Sequence, residues 1–299
     1  MFGYACINMT LSKEKVSTNR SMIKKTFLEK GIPYASELAL LNVKDLEKIV
    51  KWNVANDILF FRISSDIFPW ASEYNIELLP HFKEISQILG RIGEYAKEHG
   101  VRLTAHPGPF NVLGSPNPTV VKNTIIDLEN HGRVFDLLGL SKTPYNKINI
   151  HCNGTYGNKQ ETMERFCSNF ELLSDSVKKR LTIENDDKAS MYSVKDLMFF
   201  YETIKTPIVF DYHHHQFCTG GLTEQEALEL AISTWPDGIT PIVHYSSSRA
   251  KESGNPKEKP QAHADYILET INTYGHDLDI MLECKAKELA LLEYKKSIL

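Results

Sequence analysis

Eight short runs, apolar on both faces, recur from one end of the 299-residue chain to the other, with longer amphipathic segments between them. The runs are Phe2 to Ile7, Ile58 to Ile63, Arg102 to Ala105, Lys147 to Ile150, Leu181 to Ile183, Ile208 to Phe210, Pro241 to Val243 and Leu278 to Leu282. A strand with one wet face alternates apolar and polar residues. Strands that do not alternate need cover on both sides, as in parallel sheets wrapped by helices. Helix signals fill the gaps. Val121, Ile125 and Leu128 fall at i, i+4 and i+7 behind Ser115-Pro116-Asn117-Pro118, a suitable entrance. Thr223 precedes Glu224 and Glu226, whose charges favour a helix start, and Leu228, Ala231 and Ile232 form the apolar stripe. Gly100 follows Lys97 and His99, where a helix end wants a left-handed residue. Eight strand–helix alternations in a row predict an α/β chain folded as a closed (β/α)8 TIM barrel, a single domain over 1–299. An open doubly wound sheet would carry fewer strands and a Gly-rich phosphate turn, which the sequence lacks.

The polar residues fall at one place in each unit. Asn8 follows the first run, Ser64 and Ser65 the second, His106 the third and His151 the fourth. Glu184, Asp211, His244 and Glu283 follow the fifth to the eighth. In a barrel these positions converge on one rim, where active sites are built. Any one of them has an ordinary explanation, such as an Asp capping the next helix. Three histidines and three carboxylates together do not, because burying unpaired charge is costly. Divalent cations remove that cost: carboxylates neutralise them and neutral imidazoles complete their shells. Mixed nitrogen and oxygen donors suit Mn2+ or Zn2+ better than Mg2+ or Ca2+. His263 and one of His213, His214 and His215 join the set; strand parity favours His213, but the turn leaving the strand breaks that parity, so spacing leaves the choice open.

A chain of this size buries about three quarters of its unfolded surface and needs no disulfides. Its five cysteines form no C-x-x-C pair, which reads as reduced thiols in a cytoplasmic protein. No signal peptide is visible at the N-terminus, and no apolar run is long enough to span a membrane. The net charge of −4 runs against nucleic-acid binding, which wants a basic surface. Local charge differs. Lys13, Lys15, Arg20, Lys24, Lys25 and Lys30 face only Glu14 and Glu29 over 13–30, and Arg249, Lys251, Lys257 and Lys259 face Glu252 and Glu258 over 246–261. Such runs are usually solvated loops; these two leave strands one and seven at the rim end and would flank the metal mouth.

Several segments then resemble the UV damage endonucleases. They are Phe61-Arg62-Ile63-Ser64-Ser65, His106-Pro107-Gly108, Ile148-Asn149-Ile150-His151 with Tyr156-Gly157-Asn158-Lys159, Thr182-Ile183-Glu184-Asn185-Asp186-Asp187, Phe210-Asp211-Tyr212-His213-His214, His244-Tyr245-Ser246-Ser247, His263-Ala264-Asp265 and Met281-Leu282-Glu283-Cys284-Lys285-Ala286-Lys287. They run in the family order over nearly the whole chain. The resemblance implies a metal-dependent repair endonuclease that nicks damaged double-stranded DNA 5′ to UV photoproducts, and abasic sites as a further substrate. It implies two or three divalent ions, usually Mn2+, with Zn2+ or Mg2+ as alternatives. His106, His151 and Glu184 would hold one ion; Glu184 would bridge to a second on Asp211, His244 and Glu283; His214 and His263 would take the third. Glu184, Asp211, His244 and Glu283 carry the catalytic role in this scheme. DNA contacts would fall to Tyr4, Asn8, Phe110, Tyr156, Lys159, Arg249 and Lys251, with Tyr212 a further stacking candidate; no membrane or protein partner is implied.

Three positions depart from the family pattern. A Gln-aromatic wedge reads Pro109-Phe110, a modified Lys falls at Ile242, and a His after the second strand reads Glu73, which could itself ligate. These bear on how many ions are held and which lesions are accepted. The rival readings are an apurinic endonuclease on a related barrel, a sugar isomerase or epimerase using two metals, and a lesion-binding protein without turnover.

Overall fold

The computed structural model describes residues 1–298. All eight runs contain strands: β1 (Phe2–Ala5), β2 (Phe60–Arg62), β3 (Arg102–Thr104), β4 (Ile148–His151), β5 (Leu181–Glu184), β6 (Ile208–Asp211), β7 (Ile242–Tyr245) and β8 (Asp279–Leu282). Paired neighbours are parallel, in the order β3-β2-β1-β8-β7-β6-β5-β4. The two ends of this row meet at one parallel bridge, Ala105 to Ile148. There the Ala105 amide donates to the Lys147 carbonyl (2.9 Å), and the Asn149 amide donates to the Ala105 carbonyl (3.0 Å). The cylinder is therefore closed, with a thin seam between β3 and β4.

Long helices follow seven of the strands: α1 (Lys24–Ala55), α2 (Phe82–Glu98), α3 (Pro118–Leu137), α4 (Lys159–Phe170), α5 (Val194–Ile204), α6 (Glu224–Ile232) and α7 (Glu288–Ser297). Their starts are built as the sequence suggests. Asn117 accepts from the Thr119 amide with Pro118 in the first turn of α3, and Thr223 and Glu226 form a reciprocal capping box on α6. Gly100 takes a φ of +67° after α2.

The expected eight alternations fail once. Between β7 and β8 only the five-residue helix Arg249–Ser253 forms, and the chain then runs irregularly to β8. Gly254, Pro256 and Pro260 interrupt any helical period there. His263 rides on this loop.

Inside the barrel, strand periodicity turns alternate residues to the axis. At the end away from the metal-capable rim, buried Arg102 pairs with Asp279, which also takes the N-terminal amine of Met1 at 2.8 Å. Above that pair Ala5, Phe60, Val209, Ile242 and Met281 form an apolar layer with Trp235. Gly3 makes room for it, since a Cβ there would lie 2.6 Å from the Phe60 ring. The polar rim thus rests on a dry floor. No helix among the described residues is long and apolar enough to cross a membrane.

Candidate metal centre

β4, β5 and β6 run one residue further than the sequence reading, and β7 two, so His151, Glu184, Asp211 and His244 are themselves strand residues. Register sets His151 beside Glu184 and Asp211 beside His244. Glu184 is the hub. Its Oε2 lies 3.1 Å from His106 Nε2, 3.0 Å from His244 Nδ1 and 3.9 Å from His151 Nε2, and its Oε1 lies 3.4 Å from His214 Nδ1. Glu283 lies 3.2 Å from His244 Nδ1, and its Oε2 is 3.8 Å from His263 Nδ1. Three donor groups are compact enough to hold an ion: His106, His151 and Glu184; His106, His244 and Glu283; and Glu184, Asp211 and His244.

The donor atoms fit divalent ions on a second count. Glu184 Oε1, Asp211 Oδ2 and His244 Nδ1 are buried without a hydrogen-bond partner, and all three belong to one donor group. Buried polar atoms are rarely left unsatisfied, and a shared cation would satisfy this trio. Main-chain carbonyls also fix most of the rings. His106 Nδ1 faces Pro107 O (3.1 Å), His214 Nδ1 faces Asn185 O (2.9 Å) and His263 Nδ1 faces Glu283 O (3.0 Å). A carbonyl only accepts, so Nδ1 carries a proton in each ring and Nε2 is the atom turned towards a ligand.

Electrostatics around the trio are strongly perturbed. Burial raises the Glu184 carboxyl, but His244, His151 and His106 outweigh it and hold it well below the usual range. Glu283 is likewise held low, by Arg62 and His244 against burial. Asp211 is pushed up to about 6 by burial and by Glu184 and Glu283, against the opposing pull of His214. Burial drives His244 down to about 4 and Lys147 to about 7. Burial also disfavours charged His214, but Asp211, Glu184 and Glu283 together lift it to about 10. A carboxylate kept partly protonated beside two others is a site short of positive charge.

The choice that spacing left open is narrowed by position. His214 lies 3.4 Å from Glu184, and His213 lies deeper, with neither ring nitrogen bonded and its ring 5.6 Å from that of His263; neither belongs to the three donor groups. Glu73 is exposed in the short 3-10 helix Ala71–Glu73 and, like His214 and His263, belongs to none of the donor groups. Ile242 is buried in the apolar floor.

The nucleic-acid candidates divide. Phe110 stands 88% exposed after β3, and Tyr156 is 49% exposed after β4. Tyr4, by contrast, is 0% exposed: its hydroxyl donates to Asn53 Oδ1 (2.7 Å) and accepts from Asn8 Nδ2 (2.9 Å). Asn8 is buried too and caps the helix Met9–Ser12. Neither is exposed in this structure, where Tyr4 packs in the wall and Asn8 caps a helix. Tyr212 is buried too, its hydroxyl donating to Asn272 O. Lys159 sits 3.2 Å from Asp196, Lys251 3.2 Å from Glu269, and Arg249 is shared between Glu252 and Asp265. Of the first basic run, Arg20 is paired with Asp45. With Lys25 beside Glu29, four of the ten basic side chains in the two runs are paired and six are not, among the described residues.

Four polar residues beside the ligands were given no role in the sequence reading. Arg62 pairs with Glu283, Lys147 lies 3.0 Å from His244 Nε2, Asn149 donates to Glu184, and Asp186 lies 3.4 Å from His151 Nδ1. Strand parity was the available signal, because Lys147, Asn149 and His151 share one face of β4 and the residue before it.

The sequence profile of the UV-endonuclease UvdE family matches residues 1–298. The chain belongs to that family. A UV DNA damage endonuclease of Bacillus thuringiensis subsp. konkukian is 36% identical over 307 residues, covering 98% of this chain and 92% of the relative. The crystal structure of SacUVDE superposes with a TM-score of 0.84 at 33% identity, covering 99% of this chain and 97% of that one. The eight-stranded barrel is therefore the UvdE barrel. A D-psicose 3-epimerase from Clostridium cellulolyticum H10 matches at 11% identity and a TM-score of 0.52 over 80% of this chain and 79% of that one, which shows the fold alone.

Proposed function

We propose that this single-domain chain is a divalent-metal-dependent DNA repair endonuclease, cutting damaged duplex DNA 5′ to UV photoproducts. One observation carries the metal part of the reading: Glu184 Oε1, Asp211 Oδ2 and His244 Nδ1 are buried together and form no hydrogen bond, although Nδ1 lies 3.0 Å from Glu184 Oε2. Membership of the UvdE family supports the DNA part. When bound, divalent ions supply a nucleophilic water at neutral pH and neutralise the phosphate and the leaving oxygen. Mn2+ is the ion assigned, in two or three places: His106, His151 and Glu184 for one, Asp211, His244 and Glu283 with Glu184 for the next, and His214 with His263 for a third.

The chain's own groups do the rest. Glu184 and Glu283 are held ionised at the rim by the neighbouring His and Arg side chains, so they stand ready to take cations without first losing a proton. The rim cannot admit an intact duplex, so the lesion nucleotides leave the stack to reach it. Phe110, exposed after β3, would fill the gap they leave, and Tyr156 would stack on a displaced base.

The test is nicking of irradiated, abasic and undamaged duplexes side by side with Mn2+-loaded protein. Cuts 5′ to photoproducts are expected, and Glu184→Gln should lower the rate by at least about a thousandfold, since it strips charge from the donor shared by two ion sites. Loaded protein that binds irradiated DNA and leaves it whole would move the assignment to lesion binding. Interconversion of free sugars without nicking would move it to the epimerase class.

A further inference from the structure

The five rim imidazoles are not all turned the same way. His106, His214 and His263 set Nδ1 against main-chain carbonyls, and His151 sets Nδ1 3.4 Å from the Asp186 carboxylate. His244 is reversed: Nδ1 faces Glu184 (3.0 Å) and Glu283 (3.2 Å), and Nε2 points down to Lys147 Nζ at 3.0 Å. We propose that Lys147 is a positioning residue of the metal centre, its amine accepting from His244 Nε2–H below so that Nδ1 keeps the lone pair offered at the rim. The inference rests on the reading of this rim as a metal site.

Lys147 is fully buried, and His244 is its one side-chain hydrogen-bond partner among the described residues. An apolar chain of similar length would fill the same volume without the cost of removing an amino group from water. Volume alone therefore does not account for a lysine here. Orientation does. The terminal torsion of a histidine is broad and roughly two-fold, so an ungripped ring at 244 would also populate the flipped state, turning a carbon towards the two carboxylates.

The neighbours repeat the arrangement. Asn149, two residues on, donates to Glu184 Oε2 and is itself braced by the Thr182 hydroxyl at 2.8 Å. Arg62 holds Glu283 Oε1 from β2. Glu184, His244 and Glu283 each have a polar group of their own beneath them, and the inward residues Lys147, Asn149 and His151 supply two of the grips and one ligand. Partners of this kind orient metal ligands, and their loss typically costs about 10- to 100-fold in affinity or activity.

Wild-type, Lys147→Met and Lys147→Gln proteins, labelled with 15N in histidine, test the assignment without any DNA. In the metal-free wild type the His244 ring nitrogens should report one fixed state. Lys147→Met should give averaged shifts and a Mn2+ affinity lower by about 10- to 100-fold for one ion, with the ion on His106 and His151 unchanged. Lys147→Gln, whose amide can still bond Nε2, should recover part of both. A Lys147→Met protein with wild-type shifts and wild-type affinity overturns the role of Lys147. Averaged His244 shifts in the wild type do the same, and that measurement stands even if Lys147→Met fails to fold. Wild-type protein that takes up no Mn2+ in calorimetry would instead overturn the metal reading itself, a separable result.

Discussion

Asp211 is buried, capped by the His214 amide on one oxygen and unpartnered on the other, with two further carboxylates nearby. Its carboxyl, pushed up to about 6, gains most in the folded, metal-free protein while protonated. The sign follows from linkage: for a raised group, stability is present below the unfolded value near 4 and is lost as pH rises through about 6. Metal-free protein should therefore lose some stability between pH 4 and 6. Asp211→Asn, which keeps the acceptor for the His214 amide, should be more stable than wild type at pH 7 in the absence of metal. Urea unfolding in EDTA measures it, and the same variant should lose the stabilisation that Mn2+ gives the wild type. An Asp211→Asn protein no more stable than wild type in EDTA would refute the account. At this scale the ligands were legible because each His, Asp or Glu stands at the end of an apolar run. Arg62, Lys147 and Asn149 were not, because an inward polar residue within a strand looks in sequence like an ordinary wet face. Tyr4 and Asn8 show the opposite: polar at the tip, they bond each other inside the wall, where Tyr4 also donates to Asn53.

The loop between β3 and α3 is the element that decides what Phe110 can do. Asn111 donates to Asp127 of α3 at 2.7 Å and to the Gly108 carbonyl at 3.0 Å, and the Val112 amide donates to Thr124 at 2.9 Å. The aromatic ring is thus carried on a braced support rather than packed against the barrel. Phe110→Ala should leave stability within about 0.5 kcal/mol of wild type. It should weaken binding to irradiated duplex by about 1–3 kcal/mol, the usual worth of stacking on a base. Melting curves together with competition between irradiated and intact duplexes would check both, and a destabilised fold with unchanged selectivity would contradict the wedge. Caps and strands of this kind were readable ahead of time: Asn117-Pro118 and Thr223-x-x-Glu226 mark their helices locally. The missing helix after β7 was passed over in counting eight alternations, although Gly254, Pro256 and Pro260 advertise it.

For the whole molecule, the barrel's architecture followed from the recurrence of buried strands, whereas its closure depends on pairing that no local pattern encodes. Seven of the eight neighbouring strand pairs form ladders, and the eighth contact is the bridge from Ala105 to Ile148. His106 is the residue after that bridge on one lip, and His151 ends the strand on the other. An ion shared by these two side chains and Glu184 would act as a staple across the weakest join of the cylinder, resisting any parting of its lips. Hydrogen exchange at the amides of Ala105 and Asn149 should accordingly slow on adding Mn2+, by more than at the β1–β8 ladder on the far wall. Equal protection everywhere would mean that the tube gains no local reinforcement from its cargo.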